Sequence, residues 1–211
     1  TTSHYDLVQN LFLHLRGSKR FVMFPPLLGA QALAPFPLVH PRDRSARVRL
    51  NQPPERSKWP HLVRAQGSGI EAILGPGDAL FLPYGWWHHV ESLSQENVSV
   101  NFWFDGGRLA ECAVTGSSPV PRPLPDALQL ELARCAERFF TLALGEESLV
   151  QFLNWLQCPS AIITKQMPAA GEEHLWLHCA NYVLFHAALQ VPPMRLEGWL
   201  RLFDARRFLG L

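Results

Sequence analysis

The chain opens on a ligand set divided in two: His4-Tyr5-Asp6, then Trp86-Trp87-His88-His89 more than eighty residues on. Two imidazoles and one carboxylate occupy one face of a ferrous ion and leave the other positions open for oxygen chemistry. Side chains alternate along an extended segment, so His4 and Asp6 project together and can grip one ion. The third ligand must arrive from another strand by folding, and spacing cannot choose between His88 and His89.

These residues need elements to hold them. Val8, Asn10 and Phe12 continue the face that carries His4 and Asp6. Two β-rich runs flank Gly17-Ser18, which predicts a hairpin with Lys19 at the start of the strand beside the metal-bearing one. A cation there suits the far carboxylate of a dicarboxylate cosubstrate, whereas an ordinary turn lysine is solvated. Short strands are also expected at 71–74, 79–82, 86–93 and 97–104, separated by turns such as Gly75-Pro76-Gly77-Asp78, as in a barrel or sandwich. Residues 27–68, rich in proline and arginine, are too long for a plain connector and read as a functional insert over the site mouth.

Several runs resemble the JmjC family of 2-oxoglutarate oxygenases: Gly17–Pro26 (GSKRFVMFPP), Gly75–Pro83 (GPGDALFLP), Trp86–Ser92 (WWHHVES) and Val100–Trp103 (VNFW). Pro35–Arg44 (PFPLVHPRDR) resembles most closely the asparaginyl hydroxylases of hypoxia-inducible factor. The likeness is dense over about residues 1–108 and looser to about 156. It implies a mainly β fold with α, a double-stranded β-helix (cupin-like jelly roll) over residues 1–108. A linker at 109–125 and a helical region at 126–211 follow. It implies Fe(II) held by His4, Asp6 and His88, and 2-oxoglutarate as cosubstrate with O2. Lys19 and Thr1 match residues that hold the 2-oxoglutarate tail. Asn10, Phe12, Val90 and Asn101 match the cosubstrate pocket, Trp103 an aromatic beside the iron, and Arg44 a substrate-contacting arginine. Ser45 stands where the family has glutamine, a departure that touches substrate preference rather than iron chemistry.

The expected activity is hydroxylation of a protein side chain, asparaginyl or aspartyl. The partners implied are hypoxia-inducible factor or ankyrin-repeat proteins in the cytoplasm and nucleus. In the family the His-x-Asp motif lies well inside the domain, so a fragment of a longer protein with exposed sheet edges is expected here. A truncated, non-catalytic binding or dimerisation protein is the competing expectation.

After residue 125 the period changes to that of helices, expected at 126–144, with Asp126 as N-cap and Gly145 as stop, then 147–157, 172–190 and 196–208. Their wide apolar faces, with Phe139, Phe140, Leu149, Phe152 and Trp155, predict a homodimer seam. His174 and His178, four apart beside Cys179, do not form a His-Glu-x-x-His motif and read as ordinary helix residues.

Composition bounds the rest. The 211 residues carry a net charge of +1 and 47% hydrophobic residues, enough for a core and without a nucleic-acid signature. Cys112, Cys135, Cys158 and Cys179 form no CxxC pair and read as reduced thiols. No apolar run reaches membrane-spanning length and no signal peptide is visible.

Overall fold

The structure is a computed structural model and describes residues 1–38, 40–53, 57–104, 125–157, 176, 179, 180, 183 and 199–208. It divides into two compact units, Thr1–Phe36 with Arg42–Pro121, and Pro37–Pro41 with Arg122–Leu211. The first unit holds β1 (Gln9–Arg16), β2 (Lys19–Phe24), α1 (Pro26–Ala32), β3 (Ile70–Leu74), β4 (Ala79–Leu82), β5 (Trp87–Ser92) and β6 (Val98–Phe104). It is β-rich, and its strands pair antiparallel.

The hairpin expected around Gly17-Ser18 is not formed. β1 lies between β4 and β6 in one three-stranded sheet, while β2 lies between β3 and β5 in another. The Gly17-Ser18 link therefore carries the chain from sheet to sheet. The reason is visible in the inner faces: Phe12 and Leu82 from the first sheet pack with Phe21, Met23 and Leu74 from the second in one buried cluster. Paired as a hairpin, the two strands would share one sheet and could not close that core. The far face of the first sheet stays apolar and open. Leu11 stands opposite both Phe81 and Phe102, and those two phenylalanines are each 51% exposed.

A small helix locks β5. Trp87 is fully buried, and its Nε1 donates to the Pro26 carbonyl at the start of α1 at 3.1 Å. Gly29 of α1 lies so close that an added Cβ would sit 2.2 Å from the Trp87 ring, so only glycine lets helix and strand meet. Tyr5 also packs against this indole, 4.8 Å between ring centroids.

In the second unit, α2 (Asp126–Leu156) is broken at Gly145, whose φ of 75° is open to glycine and costly for other residues. The stop expected there is thus a kink between two helical halves. Phe140 and Phe152 face each other across it at 4.7 Å. Glu137 and Arg207 form a buried ion pair, and Glu137 Oε1 also accepts the Leu38 amide at 2.7 Å. The helix expected at 196–208 is not continuous. Asp204 is extended and separates two short 3-10 turns, Arg201–Phe203 and Ala205–Phe208. Of the helix expected at 172–190, Trp176, Cys179, Ala180 and Val183 are helical and buried, and the remainder, with His174 and His178, lies outside the described residues. The linker expected at 109–125 lies outside them too, apart from Pro125. Among the described residues no helix is long and apolar enough to cross a membrane.

Candidate metal and cosubstrate site

His4 and Asp6 do not sit on β1, as the sequence predicts, because that strand starts only at Gln9. They lie on an extended segment before it, which pairs with its neighbours instead of with a full sheet. His4 forms isolated antiparallel bridges to Ser45 on one side and His88 on the other. The His4 amide donates to the His88 carbonyl at 3.1 Å, and the His88 amide to the His4 carbonyl at 2.8 Å. The Asp6 carbonyl accepts the Gly85 amide at 3.0 Å, tying the turn before β5 to the same segment.

This pairing assembles the ligand set. One donor atom from each of His4, Asp6 and His88 lies within 4.8 Å of the others. The Nε2 of His88 stands 3.9 Å from Asp6 Oδ2. The choice the sequence leaves open is made by strand alternation: His88 faces the cluster, and His89 faces the other side of β5, where its Nε2 meets Glu91 at 3.1 Å. There Arg20 bridges Glu71 and Glu91, and holds both carboxylates below their usual range.

Both candidate imidazoles are oriented as ligands. His4 Nδ1 lies 2.9 Å from the Thr2 carbonyl, and His88 Nδ1 lies 3.0 Å from the Trp86 carbonyl. A carbonyl oxygen only accepts, so each Nδ1 carries a proton and Nε2 is the nitrogen turned to the cluster for ligation. This is the outer-sphere arrangement that fixes metal-binding histidines. Burial, with His4 alongside, pushes the His88 imidazole down to about 4, so it is neutral near pH 7. The donor set therefore fits a ferrous ion: two imidazoles and one carboxylate, converging and fixed in orientation.

The inner face of the first sheet continues from this cluster as Asn10, Phe12 and His14. Phe12 is buried against Phe21 at 4.9 Å, and Lys19 Nζ lies over the Phe12 ring, 5.3 Å from its centroid. Asn10 Oδ1 and His14 Nε2 are both buried and have no hydrogen-bond partner. The Lys19 cation, with His14 Nε2 able to donate as an N–H on the same wall, fits an anionic small molecule such as 2-oxoglutarate, while Asn10 Oδ1 can only accept. Sequence reasoning did not pick out His14. The signal was the two-residue period running on from Asn10 and Phe12, and His14 Nδ1 meets Ser99 Oγ at 3.1 Å.

The other expected residues divide. The Val90 amide donates to Thr1 Oγ1 at 3.3 Å, and Val90 packs against the core cluster that contains Phe12. Asn101 stands opposite Phe12 and Trp103 opposite Asn10 on β6, yet both are exposed, Trp103 by 66%. Arg44 is exposed on the insert, its carbonyl accepting the Tyr5 amide at 3.2 Å.

The profile of the family described as "Cupin-like domain" matches residues 1–108. A lysine-specific demethylase of Arabidopsis thaliana, JMJ31, is 32% identical over 110 residues, 52% of this chain and 20% of that protein. tRNA wybutosine-synthesizing protein 4 of Gibberella zeae is 34% identical over 102 residues, 48% of this chain and 9% of that protein. The human bifunctional peptidase and (3S)-lysyl hydroxylase JMJD7 is 29% identical over 122 residues, 50% of this chain and 38% of that protein. The chain thus spans about a fifth or less of the first two and under two-fifths of the third. With a family match over half its length and the His4–Asp6–His88 cluster inside the matched region, this chain belongs to the cupin-like domain family that includes JmjC hydroxylases and demethylases.

Proposed function

We propose that the chain carries the core of an Fe(II)- and 2-oxoglutarate-dependent dioxygenase that hydroxylates a protein side chain. Its two three-stranded sheets are read as part of a double-stranded β-helix. The observation that carries the reading is the convergence of His4, Asp6 and His88 with both Nδ1 protons held by backbone carbonyls. When bound, iron with 2-oxoglutarate and O2 supplies a two-electron oxidation: one oxygen atom enters a substrate C–H bond, and the other enters succinate as CO2 leaves.

The chain's own residues do the positioning. His4 and His88 present Nε2 lone pairs, and Asp6 supplies the negative charge that a third neutral ligand could not. Lys19 pairs with the far carboxylate of 2-oxoglutarate, assisted by Thr1, while Asn10 and His14 offer polar atoms along the same wall. Phe12, Val90 and the core behind them keep that wall dry. Asn101 and Trp103 border the site from β6, and Arg44 stands at its mouth.

The finer reading places hydroxylation on asparagine or aspartate, with hypoxia-inducible factor or an ankyrin-repeat protein as substrate. It also includes a homodimer through the helical unit, using the exposed Phe139 and Leu142. Light scattering at micromolar concentration tests the dimer, and a monomeric mass rejects it.

The 66% exposure of Trp103 favours one second reading, a protein that binds through this site without turnover. Succinate release separates the two. In air with Fe(II) and a candidate substrate, wild type is expected to convert 2-oxoglutarate to succinate and add one oxygen atom to the substrate, with Asp6→Ala inactive. Iron-bound wild type that releases no succinate with any substrate panel supports the non-catalytic reading.

A further inference from the structure

The insert between α1 and β3 is strongly basic in a chain whose net charge is only +1. Arg42, Arg44, Arg49 and Lys58 are exposed, with Arg47 and Arg64 half-buried, against Asp43 as the acidic residue among the described positions of 42–64. The cations are held in place. Arg42 and Arg47 lie over the Phe36 ring at 5.0 and 5.7 Å, and Arg47 and Lys58 over Trp59 at 5.1 and 5.4 Å. Cation–π contact of this kind fixes the stems while leaving positive potential at the surface.

The backbone beneath is tied to the metal-ligand segment. The Ala46 amide donates to the Ser3 carbonyl at 2.7 Å, and Tyr5 to Arg44 at 3.2 Å. On its other edge the same strip bonds to the end of α1, with Phe36 donating to Ser45 at 3.0 Å and Arg47 to Ala34 at 3.0 Å. The basic surface is thus a fixed extension of the segment that holds His4. Beyond it lies a cavity of about 320 Å³ whose lining includes Phe24, Leu50, Leu62 and Val63, with Arg49, Gln52 and Gln66 as polar groups.

We propose that this insert docks an acidic stretch of the polypeptide substrate, with an apolar side chain seated in the cavity and a neighbouring carboxylate on Arg49. The proposal deepens the hydroxylase reading and rests on it for the word substrate. Charge complementarity names the class, and the apolar floor of the cavity names the anchor. A nucleic acid fits less well: among the described residues of the insert the rings of Phe36 and Trp59 already carry cations, so bases would have to displace these to stack there.

Three fluorescent probes test it by anisotropy at low and moderate salt, without turnover: a peptide of alternating glutamate and leucine, its glutamine counterpart, and single-stranded RNA. The acidic peptide is expected to bind roughly tenfold tighter than the glutamine peptide and to weaken with salt. Arg49→Glu is expected to lose that preference and to gain affinity for a lysine–leucine peptide, a reversal that a misfolded variant cannot give. Lys58→Glu is expected to weaken the acidic peptide as well. Equal binding of the glutamate and glutamine peptides, tighter binding of RNA, or an unchanged Arg49→Glu overturns the proposal. Acidic-peptide binding without succinate release from any acidic substrate would leave the docking surface standing and count against the hydroxylase reading alone.

Discussion

His4 and His88 are joined twice: their backbones exchange amide hydrogen bonds of 3.1 and 2.8 Å, and their rings lie 4.3 Å apart, inclined at 58°. The bond that builds the fold and the approach that builds the site are therefore the same contact. A two-residue bridge places two imidazoles side by side on one edge, and Asp6 follows at the alternate position. Changes that loosen this bridge should cost metal affinity before they cost the global fold.

The neutrality of His88 has a consequence for acid stability. Its folded value is lowered to about 4, by burial first and then by His4, while the unfolded chain titrates near 6.5. Between these values the unfolded state binds the extra proton, so stability rises with pH across that window and is lost as pH falls through it. The full effect is roughly 3 kcal/mol at about 1.4 kcal/mol per pH unit. Urea midpoints of chelator-treated protein should drop more between pH 7 and pH 4.5 for wild type than for His88→Gln. An equal drop in both removes His88 as the cause.

Gly29→Ala is expected to destabilise the first unit although the change is one methyl on a short, largely buried helix. The new Cβ would meet the Trp87 ring at 2.2 Å, and overpacking of this kind costs about 1–3 kcal/mol. Because Trp87 precedes His88 on β5, iron affinity should fall with it. Thermal melts and iron titration of the variant check both effects. A melting point equal to wild type would show that α1 moves aside freely.

Lys19→Ala should weaken 2-oxoglutarate much more than iron. A charge-assisted contact to a carboxylate is worth about 1.5–3 kcal/mol, and Lys19 is the cation over Phe12 on the interior face. Competition binding against 2-oxoglutarate at saturating metal measures it. Unchanged affinity would move the anchoring role elsewhere.

The two described cysteines should differ in reactivity. Cys135 is exposed on α2, whereas Cys179 is buried and its thiol is pushed up by that burial. Thiolate is the reactive form, so alkylation of native protein followed by mass spectrometry should label Cys135 first. Labelling of Cys179 at an equal rate would contradict its packing.

The chemistry-bearing residues were more legible in the sequence than the elements that hold them. His-x-Asp is a local run whose two side chains share one side, so it reads directly, and Trp86–Ser92 contains the third ligand, His88. Long-range pairing does not read this way. Gly17-Ser18 has the local signature of a hairpin, yet the core formed by Phe12, Leu82, Phe21 and Met23 draws β1 and β2 into different sheets. His88 and His89 are separated only by which face of β5 meets the core. In the helical unit Gly145 was legible as a stop because positive φ favours glycine. Burial of Phe152 was not. Phe140, Trp155 and Trp176 pack around it within the chain, so Phe152→Glu would unfold this unit and cannot report on a dimer seam.

The central claim is one iron site that gathers 2-oxoglutarate, and an anaerobic binding titration tests it most directly. Wild type should take up one Fe(II) per chain. 2-Oxoglutarate should bind tightly only with the metal present, and Asp6→Ala should lose both, because a neutral two-histidine pair lacks the charge to hold the ion. Wild-type iron affinity in Asp6→Ala, or 2-oxoglutarate binding that is indifferent to the metal, would contradict the account.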